Sequence, residues 1–214
     1  MKKENRNKDV LPTEETSPSR TGDLVIIDYG AGNIQSIRFA FQRLGITAVL
    51  SDDPQRIKAA DRVVFPGVGE AASAMEKLRQ SGLHTLIPQL EQPVLGICLG
   101  MQLLCRHTEE GNTDGLGIFD AQVRKFTDGV KVPQMGWNRI ENLRSDLFRG
   151  IQGDYIYMVH SYYAPMGQET IASCSYGVEY SAALQKNNFY GVQFHPEKSG
   201  VYGETILRNF LDSV

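Results

Sequence analysis

The 214-residue sequence is short of the features that would place it in several protein classes. It has three cysteines, Cys98, Cys105 and Cys174, and no C-x-x-C pair. Three thiols cannot all pair and have no metal-ligand spacing, which argues against a disulfide framework and a metal cluster and fits a reducing cytoplasm. A formal net charge of −3 offers no basic surface, so nucleic acid is not an expected partner. No apolar run reaches the length of a membrane span, and residues 1–22 contain no apolar segment of signal-peptide type. Those first residues mix Lys, Glu, Asn, Ser, Thr and Pro, a composition that cannot offset its own ordering entropy and reads as a tail. Residues 23–214 are left as one well-cored domain.

What the sequence does have is Pro93-Val-Leu-Gly-Ile-Cys-Leu-Gly-Met-Gln-Leu-Leu104. Val94 to Ile97 is the short apolar run of a strand covered on both faces, and Met101, Leu103 and Leu104 are good helix formers. Cys98 falls at the turn between them. Glycines two before and two after it, Gly96 and Gly100, remove the Cβ atoms that would clash in a sharp strand-to-helix bend, as in the G-x-S-x-G nucleophile elbow. The N–H groups that open the helix, Leu99's among them, face the thiol and can hold an oxyanion. A buried structural cysteine is the competing reading.

Around this elbow the pattern alternates. Leu24–Ile27 reads as a buried strand, Asp28-Tyr-Gly-Ala-Gly-Asn33 as a glycine-rich loop, and Ile34, Ile37, Phe41 and Leu44 as a helical stripe ended by Gly45. The third glycine of a dinucleotide fingerprint is missing, and no cofactor is expected there. Further strands are expected at 47–50 and 62–65, helices at 54–60, 71–79 and 83–90. The Pro66-Gly-Val-Gly69 loop lies at a carboxyl strand end, where open α/β sheets bind ligands. From Leu116 onward short strands are expected at 121–125, 135–143, 154–159, 170–175, 179–185 and 189–193, before a closing amphipathic helix over 202–211. The expected fold is α/β: a flavodoxin-like, doubly wound, mostly parallel sheet with antiparallel additions in the C-terminal half.

A cysteine nucleophile needs a base, and the base an orienting group. His84 and His107 fall in helical or loop contexts without an interpretable carboxylate, and His160 follows a strand. His195 is best placed, because Pro196 ends the strand before it and fixes the backbone between His195 and Glu197. Glu197 could then accept from the imidazole and hold one tautomer. A solvent-facing His-Pro-Glu loop is the competing reading.

Gly96-Ile-Cys-Leu-Gly-Met-Gln102 together with Phe194-His-Pro-Glu197 resembles the class I (triad) glutamine amidotransferases. Within that family Asp28-Tyr-Gly-x-Gly-Asn33, Pro66-Gly-Val-Gly69, Met135-Gly-Trp-Asn138, Val159-His-Ser-Tyr-Tyr163 and His195-Pro-Glu-Lys-Ser199 resemble the glutaminase subunits of imidazole glycerol phosphate synthases, over residues 23–214. The resemblance implies that Cys98, His195 and Glu197 hydrolyse glutamine to glutamate and ammonia, with no cofactor. Ammonia would pass to a (β/α)8-barrel cyclase subunit, the partner of a heterodimer in histidine biosynthesis. It further implies that Val68 and Leu99 donate to the oxyanion, and that Gln102, Ser161 and Tyr162 hold the glutamine head group. Trp137 and Asn138, with Tyr29 and Asn33, are the expected partner-facing residues; Trp137 sits among small and polar neighbours that suit an exposed anchor. A redox or chaperone protein with a strand-to-helix cysteine would instead place a carboxylate on the thiol. A glutaminase serving another synthase would have no need of the Gly-Trp-Asn segment.

Overall fold

The computed structural model describes residues 23–30, 34–127, 129–212 and 214; the tail expected over 1–22 lies outside them. The first half runs β1 (Leu24–Ile27), α1 (Ile34–Arg43), β2 (Val49–Ser51), α2 (Pro54–Ala59), β3 (Arg62–Gly67), α3 (Ala71–Gln80), α4 (Leu83–Leu86), β4 (Val94–Cys98) and α5 (Leu99–Leu104). The second half runs β5 (Cys105–Thr108), β6 (Thr113–Asp114), β7 (Phe119–Lys125), β8 (Gln134–Arg139), β9 (Tyr155–His160), β10 (Tyr162–Pro165), β11 (Thr170–Tyr176), β12 (Val178–Lys186), β13 (Phe189–Val192) and α6 (Gly200–Asp212).

Strands β2-β1-β3-β4-β13 are parallel neighbours, and β12, β10 and β7 continue the same sheet antiparallel to one another. The chain thus forms the doubly wound sheet with antiparallel additions that its pattern implies. Alternation along the strands sorts the core. Leu24 and Ile26 of β1, Val64 of β3 and Leu95 and Ile97 of β4 meet Phe41 of α1 and Phe210 of α6 on one face. Val25, Ile27, Val63, Phe65 and Val94 meet Ile57, Leu78, Leu83 and Leu103 on the other. Continuous apolar runs are what a strand buried on both faces requires.

Local chemistry sets several boundaries. Asp53 caps α2 by accepting from Gln55 N at 2.9 Å, with Pro54 in the first turn, and Glu70 caps α3 through Ser73 N at 3.0 Å. The helix expected over 83–90 breaks into α4 and a 3-10 turn at Ile87–Gln89, because Pro88 has no N–H to continue the α ladder. Three strands were not expected, the shortest of them the two-residue β6, which pairs with β5. The run after the elbow leaves the helix at Cys105 and pairs with β7, which puts His107 on a strand, and β10 joins β7 to β12. The strand expected over 135–143 stops at Arg139, and β8 pairs with β9 in a separate two-stranded ribbon.

This topology positions the site. The elbow at the end of β4, the Pro66–Gly69 segment at the end of β3 and the His195 turn just past β13 lie at the carboxyl ends of three adjacent parallel strands, where open sheets gather their ligands.

Candidate active site

Cys98 adopts φ 55° and ψ −111°, a conformation outside the ordinary allowed regions for a residue with a side chain. Such strain persists only where the surroundings enforce it, and here they do. A Cβ on Gly96 would come within 2.7 Å of Leu104 Cδ1 and 2.9 Å of Met101 N, and one on Gly100 would collide with the Phe65 carbonyl. Helix α5 therefore lies directly on β3 and β4, and the bend has nowhere to relax. The paired glycines serve as the sequence implied.

The thiol lines a cavity of about 320 Å³ with Val68, Leu99, Gln102, Ser161, Tyr162 and His195, so the elbow, the oxyanion candidates and the substrate candidates converge on one space. That size is within the ordinary range for a small-molecule site. The Cys98 thiol donates to the Val159 carbonyl at 3.9 Å and receives the Gln193 amide at 3.8 Å. No carboxylate is among these partners, in contrast to what a redox or chaperone cysteine would show.

Glu197 Oε1 accepts from His195 Nδ1 at 2.8 Å, and the two side chains are only 6% and 1% exposed. The turn that aligns them is itself fixed: His195 N donates to the Tyr157 carbonyl, and Ser199 Oγ donates to the His195 carbonyl at 2.7 Å. With Nδ1 committed to Glu197, Nε2 is the nitrogen left for proton exchange. Burial alone would lower the His195 pKa, but hydrogen bonds and negative charge from Cys98 and Glu197 outweigh it and push the imidazole up to about 10. The arrangement thus favours His195 as an imidazolium beside Cys98.

His160 lines the same cavity and behaves oppositely. Burial, reinforced by the charge of His195, outweighs the Tyr162 carbonyl and pulls its pKa down to about 4. Its Nδ1 donates to Tyr162 O at 2.7 Å, and its Nε2 lies 3.2 Å from the Tyr180 hydroxyl. It is a neutral, structural histidine.

Among the partner-facing expectations, Trp137 is 54% exposed, and Met135 and Tyr155 beside it on the ribbon are 64% and 59% exposed. Trp137 packs edge-on against Tyr157 at 6.0 Å, and Asn138 is half-buried. Tyr29 corrects the expectation: it is buried, its ring lies against Phe65, and its hydroxyl donates to the Pro66 carbonyl at 2.9 Å, which leaves little of it to meet a partner. Asn33 lies outside the described residues. Sequence reasoning passed over Glu110, Lys198 and Gln193. Glu110 lines the cavity, accepts from Ala71 N at 3.0 Å and has its pKa raised by burial against that N–H, whereas Lys198 lies over the Tyr157 ring. Neither has a local signal. Gln193 had one, a polar residue inside the apolar run Gly191-Val-Gln-Phe194. Among the described residues no cluster of His, Cys, Asp and Glu could hold a metal, and no helix is long and apolar enough to cross a membrane.

The family model described as class-I glutamine amidotransferase matches residues 25–214. The imidazole glycerol phosphate synthase subunit HisH of Bacteroides fragilis (strain YCH46) is 54% identical over 193 residues, 88% of this chain and 98% of that protein. HisH of Escherichia coli (strain K12) is 50% identical over 194 residues, 89% of this chain and 99% of its own. Two solved structures share the fold: PurLQS from Thermotoga maritima, with a TM-score of 0.68, 15% identity and coverage of 89% of this chain and 98% of that one, and a glutamine amidotransferase, with 0.67, 18%, 87% and 96%.

Proposed function

The chain belongs to the class-I glutamine amidotransferase family, and from that premise we propose that it is the glutaminase subunit of an imidazole glycerol phosphate synthase, working in the cytoplasm in histidine biosynthesis. The observation that carries the reading is the His195–Glu197 pair at 2.8 Å, set beside Cys98 at the end of the neighbouring strand.

The reaction follows from these groups. The Cys98 thiolate attacks the δ-carbon of glutamine, forming a C–S bond while the carbonyl oxygen takes the negative charge; Val68 and Leu99 N–H groups hold that oxyanion. The imidazolium of His195 gives its proton to the amide nitrogen, the C–N bond breaks and ammonia leaves. Water then attacks the thioester, His195 takes its proton, and the expelled thiolate leaves glutamate. Glu197 holds the tautomer throughout and does not itself carry the proton. Gln102, Ser161 and Tyr162 bind the glutamine head group, with Glu110 placed to meet its α-ammonium.

Ammonia at neutral pH is mostly protonated and non-nucleophilic, so its use requires a sealed passage to an acceptor site. The β8–β9 ribbon supports a docking partner, since Met135, Trp137 and Tyr155 expose apolar surface while Val159 and Pro133 run from that ribbon into the cavity lining. The partner is a (β/α)8-barrel cyclase subunit in a heterodimer, to which ammonia passes for synthesis of imidazole glycerol phosphate and aminoimidazole carboxamide ribotide. Co-purification with the cognate cyclase, followed by glutamate release with and without the phosphoribulosyl nucleotide, tests the reading. Expected are a stoichiometric complex and nucleotide-stimulated hydrolysis; no complex, or ligand-independent hydrolysis by the lone chain, overturns it.

A further inference from the structure

The cavity wall contains a buried chain of amides whose orientation is fixed from one end. The Tyr162 carbonyl can only accept, and it takes hydrogen bonds from His160 Nδ1 at 2.7 Å and Gln102 Nε2 at 2.9 Å. This sets the Gln102 amide with its nitrogen toward Tyr162. The same nitrogen donates its other proton to Gln193 Oε1 at 2.9 Å. Gln193 must therefore present its oxygen to Gln102, and its own nitrogen lies 3.8 Å from Cys98 Sγ as a donor. Turning the Gln193 amide over would set donor against donor at Gln102, and turning both would set the Gln102 oxygen against the Tyr162 carbonyl.

We propose that Gln193, fully buried and not used in the mechanism above, is a positioning residue for glutamine hydrolysis: it holds an N–H on the nucleophilic sulfur and locks the Gln102 amide with its oxygen free for substrate. Two consequences follow, and they are separable. A donor on sulfur favours thiolate over thiol, because hydrogen bonding to the charged form stabilises it. A locked Gln102 has both amide protons committed, so its oxygen is the group left to accept from the substrate's nitrogen atoms. The proposal rests on the glutaminase reading for its substrate, but its effect on sulfur does not.

The test uses Gln193→Met, which removes donor and acceptor at similar volume, and Gln193→Glu, which keeps an acceptor for Gln102 and removes the donor at high pH. Cys98 alkylation by iodoacetamide, followed against pH and resolved by mass spectrometry from Cys105 and Cys174, reports on the sulfur. Steady-state glutaminase assays in the complex with the cyclase report on substrate. Both variants are expected to move the alkylation midpoint up by about one pH unit and to lower kcat about tenfold. Gln193→Met should also raise KM several-fold, and Gln193→Glu should leave KM near the native value. An unchanged alkylation midpoint in either folded variant overturns the role at sulfur, and equal KM values in the two variants overturn the role at Gln102. If the native complex released no glutamate, the glutaminase reading would fail while the alkylation result stood by itself.

Discussion

His195 and His160 line the same cavity and are both buried, yet their imidazoles are driven in opposite directions, to about 10 and about 4. Burial opposes the charged form at both. What differs is the company: a carboxylate and the Cys98 sulfur at His195, a carbonyl and a phenol at His160. Position in a cavity therefore does not make a histidine a base; the anions around it do.

The comparison is broken most directly by exchanging its terms. His195→Ala should lower glutamine turnover at least about 1,000-fold in the reconstituted complex, since it removes the proton carrier placed beside Cys98. His160→Gln, which can still donate to Tyr162 O, should cost less than about tenfold, in keeping with the loss of one neutral hydrogen bond. Glutamate release by the two variants at equal complex concentration decides, and losses of similar size would put His160 into the chemistry.

Glu197→Gln sharpens the same contrast at an intermediate size. The base remains but loses the carboxylate that fixes its tautomer, so turnover should fall about 100-fold, less than for His195→Ala. Titration of the His195 ring by NMR should show its pKa drop toward the ordinary imidazole range. A ring still protonated near pH 10 would assign the shift to Cys98 alone.

These two histidines also show what the sequence could reveal. The partner of His195 lies two residues away in His-Pro-Glu, and the elbow is equally local, with its glycines within two residues of Cys98; short-range spacing carries such chemistry. His160 also has one partner two residues away, the Tyr162 carbonyl, but its other partner, Tyr180, comes from β12, and nothing near His160 announces it. Tyr29 misled for the same reason. Its glycine-rich neighbours suggest an exposed loop, whereas the ring is captured by Phe65 and the hydroxyl by Pro66 of β3. The parallel half of the sheet was legible because buried strands are continuous apolar runs. Strands β5 and β10 were not, since Cys105–Thr108 and Tyr162–Pro165 are short, mixed in polarity and held by pairing with β7.

Strand β9 carries the contrast to the surface. Its inward face buries Ile156, Met158 and His160, and its outward face carries Tyr155 and Tyr157 beside Trp137 of β8. Trp137→Ala should weaken the complex by about 2 kcal/mol, roughly 30-fold in Kd, if this ring anchors the partner. The melting temperature of the isolated chain should hardly move, because the indole is half in solvent. A core tryptophan would lose about 3 to 5 kcal/mol of folding stability instead. Calorimetric titration and thermal melts on one preparation tell the two apart.

The smallest expected effect is on stability against pH, where the two histidines should leave opposite slopes. His195 has its folded pKa raised from about 6.5 to about 10, so its contribution is complete below pH 6.5 and is lost as pH rises through 10. His160 has its folded pKa lowered to about 4, so its contribution is complete above pH 6.5 and is lost as pH falls through 4. Melting temperature should therefore fall on both sides of neutrality, from different causes. Glu197→Gln should flatten the alkaline limb and leave the acid limb alone, and His160→Gln should flatten the acid limb and leave the alkaline one. Moving a histidine's folded pKa back by one is worth about 1.4 kcal/mol of linkage, and about 1 kcal/mol moves a domain of this size by about 2–4 °C, so each difference should amount to several degrees. Carboxylates and other thiols also titrate across these limbs, so the informative quantity is the difference between variant and native curves, in which shared groups cancel. If Glu197→Gln altered the acid limb as strongly as the alkaline one, the carboxylate would be supporting the fold broadly rather than holding a charged His195.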